Sequence, residues 1–198
     1  GFYASPSAVD QYEETQASFV GISTVFHSEK LLIRPKLYWR RGQDEYIYIR
    51  NNPSVYRNLH ITNKIYLDFS FSKLFDSSRL NFGIDLSSSS ISSNNLGKHN
   101  RFTSSLYADY TFKTKNNKLS FSPGFSVSNF SDMSTHFFPG IDIGFDLSKK
   151  INLYANYGKT YRVPTYTDLY YSDRNTIGNL NLNPEHAITN EIGIKYSN

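Results

Sequence analysis

Residues 157–196 read YGKTYRVPTYTDLYYSDRNTIGNLNLNPEHAITNEIGIKY, and the fold follows from what flanks their polar middle. On the N-terminal side Ile151, Leu153, Ala155 and Tyr157 alternate with Asn152, Tyr154, Asn156 and Gly158. On the C-terminal side Ile192, Ile194 and Tyr196 alternate with Glu191, Gly193 and Lys195. Period two on both sides predicts two strands with one apolar face each. The roughly two dozen residues between them exceed what a hairpin needs, and connections of that length are usually functional or disordered. The stretch reads as a long loop at one end of a sheet.

The same alternation runs through the rest of the chain. Leu31, Ile33, Leu37 and Trp39 oppose Arg34, Lys36, Tyr38 and Arg40; Ile65, Leu67, Phe69 and Phe71 oppose Lys64, Tyr66, Asp68 and Ser70. Leu80, Phe82, Ile84 and Leu86 oppose Arg79, Asn81, Gly83 and Asp85, and similar sets follow at 102–112, 119–128 and 137–147. Gly42 in RRGQDEYIYIR (40–50) is read as lying within one long strand, with residues 51–58 as the loop beyond it. The polar run SSSISSNNLGKHNR (88–101) is expected to be another long loop, and Pro123 to interrupt its ladder. Short turns (HSEK, KLFDS, KTKNN, SKK) thus alternate with longer connections, the asymmetry shown by outer-membrane barrels.

Composition agrees. The 198 residues include 16 Tyr and 15 Phe against one Trp and one Met, which suits pleated strands with a greasy and a wet face. No apolar run is long enough for a membrane helix, but membrane strands need only about 9 to 11 residues with every second one apolar. The mean hydropathy of -0.50 fits such strands, because half of each faces a polar interior. With no cysteine there is neither a disulfide framework nor a thiolate metal site. The net charge of +4 is spread and mixed in sign, without the basic stripe of a nucleic-acid binder. The chain begins GFYAS without a visible signal peptide, which is read as truncation.

A sheet greasy on one face could be half of a soluble sandwich or the wall of a lipid-facing barrel. The barrel is favoured because the apolar face continues over about nine strands almost without charge, where a midplane Lys or Arg would cost about 2 to 4 kcal/mol. The expected fold is an all-β, antiparallel transmembrane barrel fragment. Enzymatic readings lack parts: the five His are far apart in sequence without metal-ligand spacing, and the Ser residues alternate as lumen positions without a base. No cofactor and no metal site is expected. Loops carrying Tyr, Asn, Arg and Asp can stack on and hydrogen-bond a bulky ligand. Tyr56, Asn94, Asn95, Arg101, Tyr170, Tyr171, Asp173 and Arg174 are the candidate contacts.

Arg162, Pro164, Thr165, Asp168, Leu169 and Tyr170, followed by Gly178, Asn179, Leu182, Pro184, Glu185, Glu191 and Gly193, resemble the barrel signature of TonB-dependent outer-membrane receptors. Tyr161, Asp168 and Leu180 stand where that pattern usually has Phe, Glu and Pro. The signature residues are expected to anchor the loop, with Pro164 and Pro184 restricting the chain, Gly178 and Asn179 making a turn, and Arg162 pairing with Glu185 or Asp168. The resemblance implies a barrel of about 22 strands around a plug. Residues 1–198 would then be one partial barrel domain, with the plug and the C-terminal strands absent.

It also implies an outer-membrane protein, not an enzyme, that imports a scarce bulky ligand. Its partners would be the TonB–ExbB–ExbD complex, acting through the plug, and outer-membrane lipid. The segments YWRRGQDEYIYIR (38–50), FGIDLSSSSISSNNLGK (82–98) and FPGIDIGFDL (138–147) further resemble the cobalamin receptors of Bacteroidota. That implies cobalamin or another corrinoid as ligand, and leaves room for a surface lipoprotein lid. A siderophore receptor is the second reading, and a non-transporting adhesin or assembly component the reading of another class.

Overall fold

The computed structural model describes residues 10–116, 118–173 and 176–197. They form one antiparallel sheet of β1 (Tyr12–Ser23), β2 (Phe26–His27), β3 (Leu31–Ile47), β4 (Arg57–Leu74), β5 (Ser78–Ser93), β6 (Gly97–Lys113), β7 (Leu119–Phe130), β8 (His136–Asp146), β9 (Ile151–Arg162) and β10 (Glu185–Tyr196). A single helical turn, α1 (Tyr166–Tyr170), stands between β9 and β10. β1 and β2 both pair with β3, from β3 onward each strand pairs with its sequence neighbour, and the sheet does not close: β1 and β10 are its edges.

Nine positions are filled along the sheet, because β1 and β2 together occupy one flank of β3. They are separated at Thr24 and Val25, opposite Arg34 and Pro35. Pro35 has no N–H to give to that side, so pairing lapses there, although its carbonyl still accepts from Thr24 N at 3.2 Å. Pro123 acts alike: the β6–β7 register runs to Asp109↔Gly124 and resumes at Phe112↔Phe121.

The faces follow the alternation. Trp39, Ile65, Leu67, Phe69, Ile84, Leu106, Phe121 and Ile143 lie on one face, and no second layer covers them among the described residues. Ile65 is 54% exposed and Phe112 49%. An apolar band running across a whole sheet far exceeds what a monomer leaves in water, so its solvent is hydrocarbon.

One expectation is corrected here. The run 88–101 is not a long loop: β5 and β6 continue through it, pairing Ser88↔Phe102 to Ser93↔Gly97, around a turn of three residues. Serine lowers strand propensity but forbids nothing, and Ile91 opposite His99 keeps the period of two. The turn itself is specified locally. Ser93 Oγ accepts from Asn95 N at 3.0 Å and Leu96 N at 2.9 Å, and Gly97 takes φ +81°, where a side chain would be strained.

Strands β4, β5 and β6 have 18, 16 and 17 residues, whereas β7, β8, β9 and β10 have 11 or 12. A crossing needs about 9 to 11. The surplus is at the long-loop end, since β6 keeps residues 97–102 beyond its last pair with β7, Thr103↔Phe130. A tall hairpin therefore stands beside a low stretch of wall, and residues 163–184 fold across that step.

Candidate functional site

The loop begins with a self-contained piece of local structure. Pro164 disfavours a helical conformation at Val163 before it, and the extended Thr165 then caps α1. Thr165 Oγ1 accepts from Asp168 N at 3.2 Å while Thr165 N donates to Asp168 Oδ2 at 2.8 Å, a reciprocal capping box. The pattern Thr-x-x-Asp was visible in the sequence, and a search for capping boxes would have found the turn of helix. These bonds hold the Asp168 carboxyl below the usual carboxylate range: the Thr165 N–H first, then the Thr165 side chain, with Arg162 assisting from 3.8 Å.

The remaining signature residues are also accounted for. Arg162 and Glu185 are directly opposed in the β9–β10 ladder and form a fork, Nε to Oε2 at 3.0 Å and Nη2 to Oε1 at 2.9 Å, that closes the base of the loop. Both side chains are more than half exposed, so the fork fixes register more than it stabilises. Gly178 N donates to Tyr171 O and Asn179 N to Asp168 O, folding the return leg onto the helix end. A Cβ on Gly178 would lie 2.7 Å from Leu169 backbone atoms, so only glycine passes there. Gly193 faces Tyr154 in the ladder, where a Cβ would meet the ring at 2.3 Å, and Glu191 accepts from Tyr154 Oη at 3.1 Å and Asn156 Nδ2 at 3.0 Å.

The loop then docks on the β5–β6 hairpin. His99 stacks on Tyr170 with centroids 3.6 Å apart and on Tyr166 at 5.8 Å, while its Nε2 meets Leu96 O at 2.6 Å. A carbonyl only accepts, so Nε2 carries the proton. Tyr166 Oη donates to Ser89 O at 3.2 Å, and Asn95 Nδ2 to Ser172 O at 3.1 Å. Arg101, with its side chain 10% exposed, joins three segments. Its Nε donates to both Asp132 oxygens at 2.8 Å, its Nη1 donates to Pro164 O at 3.0 Å, and its guanidinium lies 5.3 Å from the Tyr166 ring centre. The only buried aliphatic side chains among the described residues, Ile91, Leu96 and Leu169, belong to this hairpin and this loop. A one-layer wall has no core of its own, so this seam is the nearest thing to one.

Two further clusters stand at the same rim. Tyr171 donates to Asp173 Oδ2 at 3.0 Å and shares a hydrogen bond with Tyr56, whose Oη also accepts from Asn58 Nδ2 at 2.9 Å. The Tyr56 bond first, then burial and the nearby Asp173 carboxylate, push the Tyr171 phenol well up. The other cluster gathers Phe130, His136, Phe138 and His186 around Tyr161, whose hydroxyl is hydrogen-bonded to His136 Nε2. Burial, then His186 and Lys159, push His136 down. Fifty positions separate the two His in sequence, so spacing could not show that they flank one phenol. Among the described residues no group of three or more His, Cys, Asp or Glu could hold a metal.

The structure thus brings together most of the expected contacts, but in different employments. Asn94 is consumed by β4, accepting from Leu59 N at 2.8 Å and donating to Arg57 O at 2.5 Å. Asn95, Arg101 and Tyr170 hold the docked loop, while Tyr56, Tyr171 and Asp173 form the cluster beside it. Arg174 lies outside the described residues. Sequence reasoning missed His99, Asp132 and Tyr166, which carry no motif and become partners only across the step in the wall.

Residues 7–198 match the family model described as TonB dependent receptor-like, beta-barrel. The chain belongs to the TonB-dependent receptors. It is a piece of outer-membrane barrel wall, and the family consists of transporters, not enzymes. Solved structures agree in fold. The siderophore receptor PirA from Pseudomonas aeruginosa superposes with TM-score 0.82 at 12% identity over 96% of this chain and 38% of its own. The hemophore receptor HasR of Serratia marcescens gives 0.80 at 16% over 96% and 37%, and the copper transporter OprC 0.79 at 12% over 97% and 38%. This receptor chain therefore spans under two-fifths of the length of these structures. No curated protein matches it in sequence.

Proposed function

We propose that the full protein imports a bulky, scarce ligand across the outer membrane, with residues 1–198 supplying part of the wall, lumen and outer binding surface. The plug and the remaining strands would come from elsewhere in the polypeptide, and the TonB–ExbB–ExbD complex would act on that plug. The observation that carries this reading is the anchored outer loop, which holds Tyr171 and Asp173 at the rim beside Tyr56 of the β3–β4 connection. Phenols and a carboxylate so held can stack on and hydrogen-bond a large polar ligand without first paying to order a loop.

The proposed ligand is cobalamin or another corrinoid, supported by the resemblance of segments 38–50, 82–98 and 138–147 to such receptors; a surface lipoprotein lid would accompany it. The siderophore reading stands second, supported by PirA among the structures of like fold. Calorimetry of the full-length protein in detergent with cyanocobalamin and with ferric siderophores separates them. Saturable corrinoid binding that weakens about tenfold in Tyr56→Phe/Tyr171→Phe, which removes two hydroxyls and keeps both rings, supports the reading. Siderophore binding alone discards the corrinoid, and binding of neither discards the receptor function.

A further inference from the structure

The net charge of +4 is concentrated at one end of the sheet. Lys30, Lys73, Lys115, Lys118, Lys149 and Lys150 stand in or beside the short turns, are all exposed, and share that rim with the acids Glu29 and Asp76. Six lysines and two acids leave 15 basic and 15 acidic residues among the 21 and 17 of the whole chain, so everything else cancels. Arg79, Lys113, Asp146 and Lys195 close the same strands from the lumen face and stay among those that cancel.

Most of the rim lysines have no acidic partner among the described residues. Among the described residues only Lys30 has an acidic partner, Asp76 at 3.1 Å, with side chains 64% and 93% exposed. The opposite rim is paired internally: Arg57 with Glu45, Arg101 with Asp132, Arg162 with Glu185. Immediately beside the lysines the outward face is apolar, with Phe75 40%, Phe112 49%, Leu119 40% and Leu147 56% exposed. Lys73 Nζ lies 5.3 Å from the Phe75 ring centre, at the seam between the two. Lysine stems can lie along such a margin while the ammonium reaches outward.

We propose that this rim seats the anionic headgroups of phospholipid in the leaflet at the short-turn side of the membrane, and so fixes the depth of the wall in the bilayer. The inference rests on the barrel reading. The lipid-facing band supplies the acyl contact, and the lysines supply a point charge within a Debye length of the phosphates. Zwitterionic lipid would satisfy the band but not the lysines, which predicts selectivity for net negative headgroups.

The test uses the full-length receptor reconstituted in phosphatidylcholine with trace spin-labelled phosphatidylglycerol or spin-labelled phosphatidylcholine. The motionally restricted lipid is read by electron spin resonance at low and high salt. The receptor should prefer phosphatidylglycerol by about twofold to fivefold at low salt and lose the preference at about 0.5 M salt. The variant Lys115→Gln/Lys118→Gln/Lys149→Gln/Lys150→Gln should approach equal association, while Lys98→Gln at the opposite rim keeps the wild-type value. Equal association of both lipids with the wild type, or an undiminished preference in the quadruple variant, overturns the proposal and leaves the barrel untouched. Absence of any restricted lipid would overturn the membrane reading along with it.

Discussion

Replacing Arg101 by Ala should unlatch the outer loop while leaving the wall intact. The side chain is nine-tenths buried, and its loss strands Asp132, whose side chain is 27% exposed, and frees the Pro164 carbonyl. Breaking a buried pair from one side costs about 3 to 5 kcal/mol, and the partial exposure of Asp132 argues for the lower end. A net 3 kcal/mol corresponds to about a hundredfold faster opening of the loop. The amides that report it are Leu169 N, Tyr171 N, Gly178 N and Asn179 N, each bonded within residues 165–179. Hydrogen exchange of the full-length protein in detergent should show them exchanging about two decades faster, with the amides of the β4–β5 ladder unchanged. Arg101→Lys keeps the charge but cannot span Asp132 and Pro164 together, so it should fall between. Exchange within threefold of wild type at those four amides, or equal acceleration throughout β4 and β5, would refute the role assigned to Arg101.

Gly178→Ala should destabilise the same loop by about 1 to 3 kcal/mol, because its Cβ meets Leu169 backbone at 2.7 Å, and faster proteolysis between 163 and 184 would report it. The Tyr161 cluster should loosen in acid. His136 has a folded pKa below the ordinary histidine value of 6.5, so the unfolded state binds the proton first; the contribution of the neutral ring is complete above pH 6.5 and is lost as pH falls through the folded value. Protection at 136–138, taken relative to the intrinsic base-catalysed exchange rate, should therefore fall between pH 7.5 and 5.5 in the wild type and not in His136→Gln; pH-independent protection in both would remove His136 from that part.

Much of the wall was legible because the physics of a strand is local. Alternation names the outward face residue by residue, and Pro123 announces its gap through a missing N–H. The error at 88–101 has an equally local source. Serines look like loop when judged by polarity, yet both faces of a strand that rises past the membrane meet water, so polarity stops distinguishing strand from loop there. The rim clusters were illegible for a different reason: His99 and Arg101 come from β6, Asp132 from the connection after β7 and Tyr166 from α1, while His136 and His186 come from two further strands.

The sequence by itself determined the strands, their faces, the short turns and the capped turn at Thr165, since each depends on a side chain and its nearest neighbours along the chain or across one ladder. The tertiary structure decided which loop residues are spent on anchoring and which remain at the rim. That division depends on unequal strand lengths: β5 and β6 stand taller than β7 and β8, and only across that step can the loop after β9 reach a hairpin three strands away.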